Sequence, residues 1–418
     1  MSGATRTLMG LVLTALLSFP VASPLQADVL VVKGQTVYTM AGEPIKDGVV
    51  VIEDGTIAAV GAESRTEVPA GAKVLEAAVV TPGLVDAHSV VGLAGYLNQR
   101  QDQDQLERSS PIQPELRAID AYNARERLIE WVRGFGVTTI HTGHAPGALV
   151  SGETLIAKTR GDTVAEAVFV PAAMIAATLG ESAVSSEPKK APGTRGKLAA
   201  MLRAELVKAQ EHAAKRERAE EDEPPARDLR LESLERVLSG ELPLLVTVDR
   251  QQDITTALRL QREFGFRLVL DSAADAHLLI DEIRAAGVPV IVHPTMARAR
   301  GERENLSMET AALLADAGIP IALQSGYESY VPKTRVVLYE AAIAASRGLG
   351  RERALGAITI DAARLLGVDD RVGSLEVGKD GDLALYDGDP FEYTSHCEAV
   401  VIDGEVYAGE QTWRIVAE

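Results

Sequence analysis

From Pro243 to Leu323 the chain repeats one unit: a short apolar run, an amphipathic stretch, then another apolar run. The runs are P-L-L-V-T-V (243–248), R-L-V-L (267–270), V-P-V-I-V (288–292) and I-P-I-A-L (319–323), with stretches such as I-T-T-A-L-R-L-Q-R-E-F and A-H-L-L-I-D-E-I-R-A-A-G between them. Runs this short are strands buried on both faces, and the stretches between them carry the 3.6-residue period of helices. Strand–helix–strand repeated in series makes parallel βαβ units and excludes an all-β or all-helical fold. Upstream, V-V-T-P-G-L-V-D-A-H (79–88), V-T-T-I-H (137–141), T-L-I-A-K (154–158) and A-V-F-V (167–170) supply four more candidate strands. Eight strands favour an α/β fold of the closed TIM-like (β/α)8 type over an open sheet, with functional groups at the C-terminal strand ends.

The two ends of the chain have another texture. Asp28 to Val80 consists of short alternating apolar pieces broken by E-D-G and A-G-E-P turns, and the C-terminal end repeats this in D-L-A-L-Y-D, E-A-V-V-I-D-G-E-V-Y-A-G and T-W-R-I-V-A-E. Such pieces read as antiparallel strands. The expected organisation is a small composite β-sandwich from 28–80 and 366–418, a barrel over 81–365, and a charged insertion at 181–228 whose Lys197 to Glu220 part is a solvated helix.

Arg6 and the apolar run Leu8 to Phe19, followed by Pro20 and small residues, have the pattern of a signal peptide over 1–27. The run is short against the ~20 apolar residues of a spanning helix. The expectation is therefore cleavage before Asp28, a periplasmic or secreted location, and no stable membrane insertion afterwards. With 42 basic against 60 acidic residues the net charge is −18, which excludes a phosphate-tracking nucleic-acid surface. A small-molecule ligand or substrate, or a protein partner, remains. Cys397 is the single cysteine, so neither an internal disulfide nor a zinc site of several thiolates is available.

The segment T-P-G-L-V-D-A-H (81–88), together with A-A-R-L-L-G-V-D-D-R-V-G-S-L-E-V-G-K-D-G-D-L-A-L-Y-D-G-D-P (362–390), resembles the amidohydrolase superfamily, in particular its imidazolonepropionase-like branch. The resemblance covers nearly all of the chain after the signal. It implies a TIM-like barrel with a β-sandwich, one or two divalent metals at the barrel mouth, and hydrolysis of amide or related C–N bonds. A metal held by imidazoles and carboxylates lowers the pKa of bound water toward ~7 and polarises the substrate carbonyl. The family takes its ligands from His-x-His on the first strand, a histidine on each of the fifth and sixth, and an aspartate on the eighth; binuclear members add a bridging lysine or glutamate on the fourth.

Carried over position by position, His88 matches the first histidine and Val90 replaces the second. Thr247 and Ser272 stand where the fifth- and sixth-strand histidines belong, Gln324, Ser325 and Gly326 stand at the eighth strand, and no lysine ends the fourth. Asp249 and Asp271 sit at strand ends beside the lost positions. A relocated metal site has candidates in His141, His144 and His293, with Asp249, Asp271 and Glu328 as carboxylates and possible catalytic groups, enough for one divalent ion such as zinc. Each also has a simpler account, as a turn histidine or a helix-capping aspartate. Lys158 is a candidate substrate contact or plain surface charge, and the polar loop Asn98 to Arg117 overhangs the mouth or is merely solvated. Two functions follow. One is an exported hydrolase of C–N bonds with a reduced or rearranged metal centre. The alternative is a catalytically inactive, metal-free barrel that binds a small ligand or a protein. The ligand count favours the second, with no cofactor.

Overall fold

Local turn chemistry builds the sheet at the chain ends. The computed structural model describes residues 29–97, 99–187, 190–219, 226–327 and 336–408; the signal segment 1–27, Glu328 and the T-W-R-I-V-A-E run lie outside the described residues. In chain order the strands are β1 Val29–Val37, β2 Ile45–Glu53, β3 Thr56–Ala62, β4 Lys73–Pro82, β5 Leu84–Ser89, β6 Val137–Thr142, β7 Val150–Glu153, β8 Leu155–Lys158, β9 Val168–Val170, β10 Ile175–Thr178, β11 Leu244–Val248, β12 Leu268–Ser272, β13 Val290–Val292, β14 Ile321–Leu323, β15 Leu383–Tyr386, β16 Cys397–Ile402 and β17 Glu405–Ala408. Asp54-Gly55 and Asp403-Gly404 each connect a hairpin through two residues, all four with φ between 48° and 81°. Only Asp, Asn and Gly adopt that left-handed pair cheaply, which is why D-G closes both turns. A Cβ on Gly55 would come within 2.8 Å of the Asp403 carbonyl, so the two turns pack tip to tip.

These hairpins belong to one seven-stranded sheet of order β17-β16-β15-β4-β1-β2-β3. Strand β4 lies parallel to β1 and antiparallel to β15, so the two ends of the chain share a single ladder. Leu30, Val32, Val50, Ile52, Val80, Leu383, Leu385 and Val401 form its buried apolar cluster.

The middle of the chain makes a mixed α/β unit of two sheets. One has the order β14-β13-β12-β11-β10-β7 and the other β5-β6-β8-β9. Strands β10 to β14 are mutually parallel, as the βαβ pattern requires. The sheets meet on two sides: Gly326 N donates to His88 O at 3.2 Å, while Thr154 N donates to Met174 O at 2.9 Å and Ala173 N to Thr154 O at 2.8 Å. Val85, Ala87, Ile156, Leu245, Val269, Ile291 and Ala322, drawn from six strands, pack together as one buried cluster inside, whereas Leu244, Val246, Leu268, Leu270 and Leu323 belong to the larger core that includes the helices. The period of two then places Thr247, Asp271 and Gln324 on the inner side, directly beyond Leu245, Val269 and Ala322.

Two expectations are corrected here. The segment between the second and fifth expected strands is not a run of parallel units. Strand β8 is antiparallel to β6 and to β9, and β7 is antiparallel to β10. Only residues 159–167 separate β8 from β9, too few for a parallel crossover, which needs about a dozen residues or more. The strand that pairs parallel with β11 is β10, in an alanine-rich stretch with no strand signature. The insertion helix is also not simply solvated. Arg195–Arg218 starts on a Thr194 cap and buries Leu198, Leu202, Leu206 and Ala209, a stripe at helical spacing packed on the helices Leu229–Leu238 and Gln251–Phe264. Its many charges hid that stripe. Among the described residues no helix is long and apolar enough to cross a membrane.

Candidate functional site

The C-terminal ends of β5, β11 and β12 and the residue after β14 converge on a cavity of about 730 Å³, lined among others by His88, Thr247, Asp249, Asp271, Ser272 and Gln324. At its centre the Asp271 carboxylate is held from three strands. His88 Nδ1 lies 3.0 Å from Oδ1, Gln324 Nε2 donates to Oδ1 at 2.9 Å, and the Thr247 hydroxyl donates to Oδ2 at 2.6 Å. Gln324 is steadied by the carbonyls of Ile291 and Val292 at 3.3 and 3.2 Å. Burial by itself would lower the His88 pKa, but the Asp271 charge and hydrogen bond outweigh it and the net shift is upward. Burial would likewise raise Asp271, and His88, Thr247 and Gln324 more than reverse it. Both shifts run against burial and share one main cause, the contact between the imidazole and the carboxylate. His88 Nε2 is buried and has no hydrogen-bond partner.

Two neighbours extend the cluster. Asp86 accepts from Ser325 N at 3.0 Å and His88 N at 3.3 Å, yet complete burial pushes its carboxyl up to about 7. Ser272, the last residue of β12, and Ala273 after it have φ of 64° and 52°, a left-handed turn that costs roughly 1–2 kcal/mol per non-glycine residue. That turn brings the Ser272 hydroxyl onto Asp249 Oδ1 at 2.6 Å. Burial raises the Asp249 carboxyl against this hydrogen bond.

The other predicted residues separate. His141 is fully buried with both nitrogens engaged, Nδ1 on Ala87 O at 2.6 Å and Nε2 against the Thr154 hydroxyl at 2.7 Å, and burial next to His88 drives its pKa down to about 3. It is a neutral structural histidine, 5.6 Å from His88 ring to ring. His144 and His293 are also buried and pushed to about 4 by that burial; neither lines the cavity. Lys158 is neither surface charge nor a substrate contact in this cavity. Its ammonium lies 2.8, 2.5 and 3.3 Å from Asp380, Asp382 and Asp403, joining β8 to the seven-stranded sheet.

The metal that the family resemblance implies does not fit these residues. Val90 is an apolar wall, Thr247 and Gln324 are neutral donors to Asp271, and the one surviving histidine spends Nδ1 on that same carboxylate. Among the described residues no group of three or more His, Cys, Asp or Glu could hold a metal ion. Asp86, Thr247 and Gln324 all lie in the motifs quoted above, but residue type marks Thr247 and Gln324 only as lost ligands and carries no sign that they donate to Asp271.

Known proteins bear on this geometry. The profile described as Amidohydrolase family matches residues 217–408. A solved amidohydrolase from Thermotoga maritima MSB8 is 31% identical, with a TM-score of 0.86 and coverage of 91% of this chain and all of that one. The chain belongs to the amidohydrolase superfamily, a class of hydrolases. Amidohydrolase tasK of Hapsidospora irregularis is 26% identical over 391 residues, and the match spans 85% of this chain but 39% of that protein. A zinc-bound adenosine deaminase from Xanthomonas campestris, 16% identical with a TM-score of 0.54 and coverage of 93% and 96%, shares the fold alone.

Proposed function

We propose that the protein is an exported, metal-free amidohydrolase-superfamily barrel of the imidazolonepropionase-like branch, whose mouth binds a small molecule in the His88–Asp271 cavity. The observation that carries this reading is the closed cluster on Asp271: strand ends that in the family present open metal ligands here present donors to one carboxylate. The two inner sheets and the hydrogen bonds between them support a distorted (β/α)8 barrel, with the chain-end sheet as a composite second domain. The V-G-S-L-E-V-G-K-D-G-D-L run, which leads into β15, supports the branch. The Leu8 to Phe19 run supports export.

Elemental analysis of the purified, dialysed mature protein tests the reading. The chain should begin near Asp28 and carry well under one equivalent of zinc, iron or manganese, with no difference between wild type and His88→Ala, His141→Ala or His293→Ala. If about one equivalent is retained and any of these substitutions abolishes it, a relocated metal centre and hydrolysis of a C–N bond replace the metal-free reading. An exported protein that begins at Met1 or Ser2 would refute cleavage.

A further inference from the structure

We propose that His88 and Asp271 form a general-base dyad that hydrolyses a small acyl compound, an amide or ester, in the cavity without a metal; the proposal rests on that cavity being the binding site. A general base needs an imidazole whose one nitrogen is fixed by a carboxylate while the other faces the reactants. His88 has the carboxylate-held nitrogen, Nδ1 on Asp271 at 3.0 Å, and its Nε2 is unpartnered and buried in a residue that lines the cavity, so the step requires that atom to open to the cavity when substrate binds. Its carboxylate is itself immobile, because Thr247 and Gln324 pin both oxygens from β11 and from the end of β14. The ring cannot swing away without breaking a three-strand cluster.

A buried polar atom left without a partner costs of order 1–3 kcal/mol, so its retention asks for a reason. His144 and His293 also carry an unpartnered Nε2, but neither has a carboxylate on its other nitrogen. The His293 Nδ1 meets the Pro294 carbonyl at 3.1 Å. Among the described residues, His88 alone joins a carboxylate anchor, an unpartnered second nitrogen and a place in the cavity wall.

The step balances with water as the only co-reactant. The neutral Nε2 takes a proton from water as its oxygen attacks the acyl carbon, giving a tetrahedral intermediate. On collapse the C–N or C–O bond breaks, the leaving nitrogen or oxygen takes the proton back from Nε2, and a carboxylic acid and an amine or alcohol depart. The imidazolium that forms between the two transfers is stabilised by Asp271.

The probe is p-nitrophenyl acetate, hydrolysed by mature protein dialysed against EDTA. Saturable turnover that survives chelation is expected. His88→Gln and Asp271→Asn should each lower kcat by about 10²–10⁴-fold, the range for a positioned general base, with KM changed less than about twofold and folding checked by circular dichroism. His88→Gly should regain turnover with added imidazole, above the rate of imidazole in solution. Absent turnover, or turnover indifferent to both substitutions in a metal-free protein, overturns the dyad and leaves the metal-free binding site standing. Turnover lost on chelation overturns both.

Discussion

The charged clusters around Lys158 and around Asp271 are built for different ends. Around Lys158 three cations face three anions: Lys158 meets Asp380, Asp382 and Asp403, Arg160 meets Asp403 at 2.5 Å, and Arg371 meets Asp380 at 2.7 Å. None of its side-chain atoms is a buried orphan, and it bridges β8 to the chain-end sheet. Around Asp271 a single carboxylate faces one imidazole and two neutral donors, an imidazole nitrogen is left over, and the cluster opens on the cavity. A cluster whose charges are all matched can only hold elements together. One with an unspent group beside a cavity can also do chemistry.

The comparison breaks most readily at Lys158. Lys158→Met keeps the length of the side chain but leaves Asp382, 3% exposed, without its cation; removing one partner of a buried ion pair costs about 3–5 kcal/mol. Chemical denaturation should show a loss of that size. A loss under about 1 kcal/mol would mean the Lys158 cluster is not what joins the sheets.

Next in size is a pH effect at the other cluster. The folded-state pKa of Asp86 is raised from 3.8 to about 7, so between these values the folded chain binds more protons than the unfolded one and stability falls as pH rises, by about 1.4 kcal/mol per unit. His88, also raised, loses its contribution as pH climbs from 6.5 through its folded pKa. Asp271, lowered below 3.8, already contributes fully at pH 5. Between pH 5 and 7 the wild type should therefore lose about 2–3 kcal/mol more than Asp86→Asn, whose amide oxygen can still accept from Ser325 and His88. Parallel stability curves for the two proteins would show that Asp86 does not hold its proton.

The smallest effect sharpens the account of how Asp271 is held. Thr247→Val keeps the shape and deletes the 2.6 Å hydroxyl bond, for an expected loss of about 1.5 kcal/mol, typical of a hydrogen bond to a charged group. An unchanged denaturation midpoint would show that His88 and Gln324 suffice.

Much of this architecture was legible in the sequence because its signals are local. The apolar runs ending at Val248, Leu270, Val292 and Leu323 and the amphipathic stretches between them specify parallel units, and the D-G pairs at Asp54 and Asp403 specify hairpins. Strand β10 escaped because A-A-M-I-A-A-T lacks β-branched alternation and is held as a strand by its neighbours β7 and β11. The antiparallel course of β8 escaped for a similar reason. Strand direction depends on which partner a run meets, and T-L-I-A-K reads the same either way.

By itself the sequence determined the α/β class, the return of the chain to the sheet where it began, and the loss of the ligands at Val90, Thr247 and Gln324. These follow from residue type and spacing, which act over a few residues. Only the tertiary structure decided what replaced those ligands. Asp271 and His88 lie 183 residues apart, and Thr247 and Gln324 reach the same carboxylate only because period-two strands from distant parts of the chain end at one height. It likewise decided that His141 is a satisfied core residue while His88 keeps a nitrogen unspent. Hydrogen-bond partnership and desolvation are properties of who is adjacent in space, and no reading of either residue's own neighbours along the chain contains them.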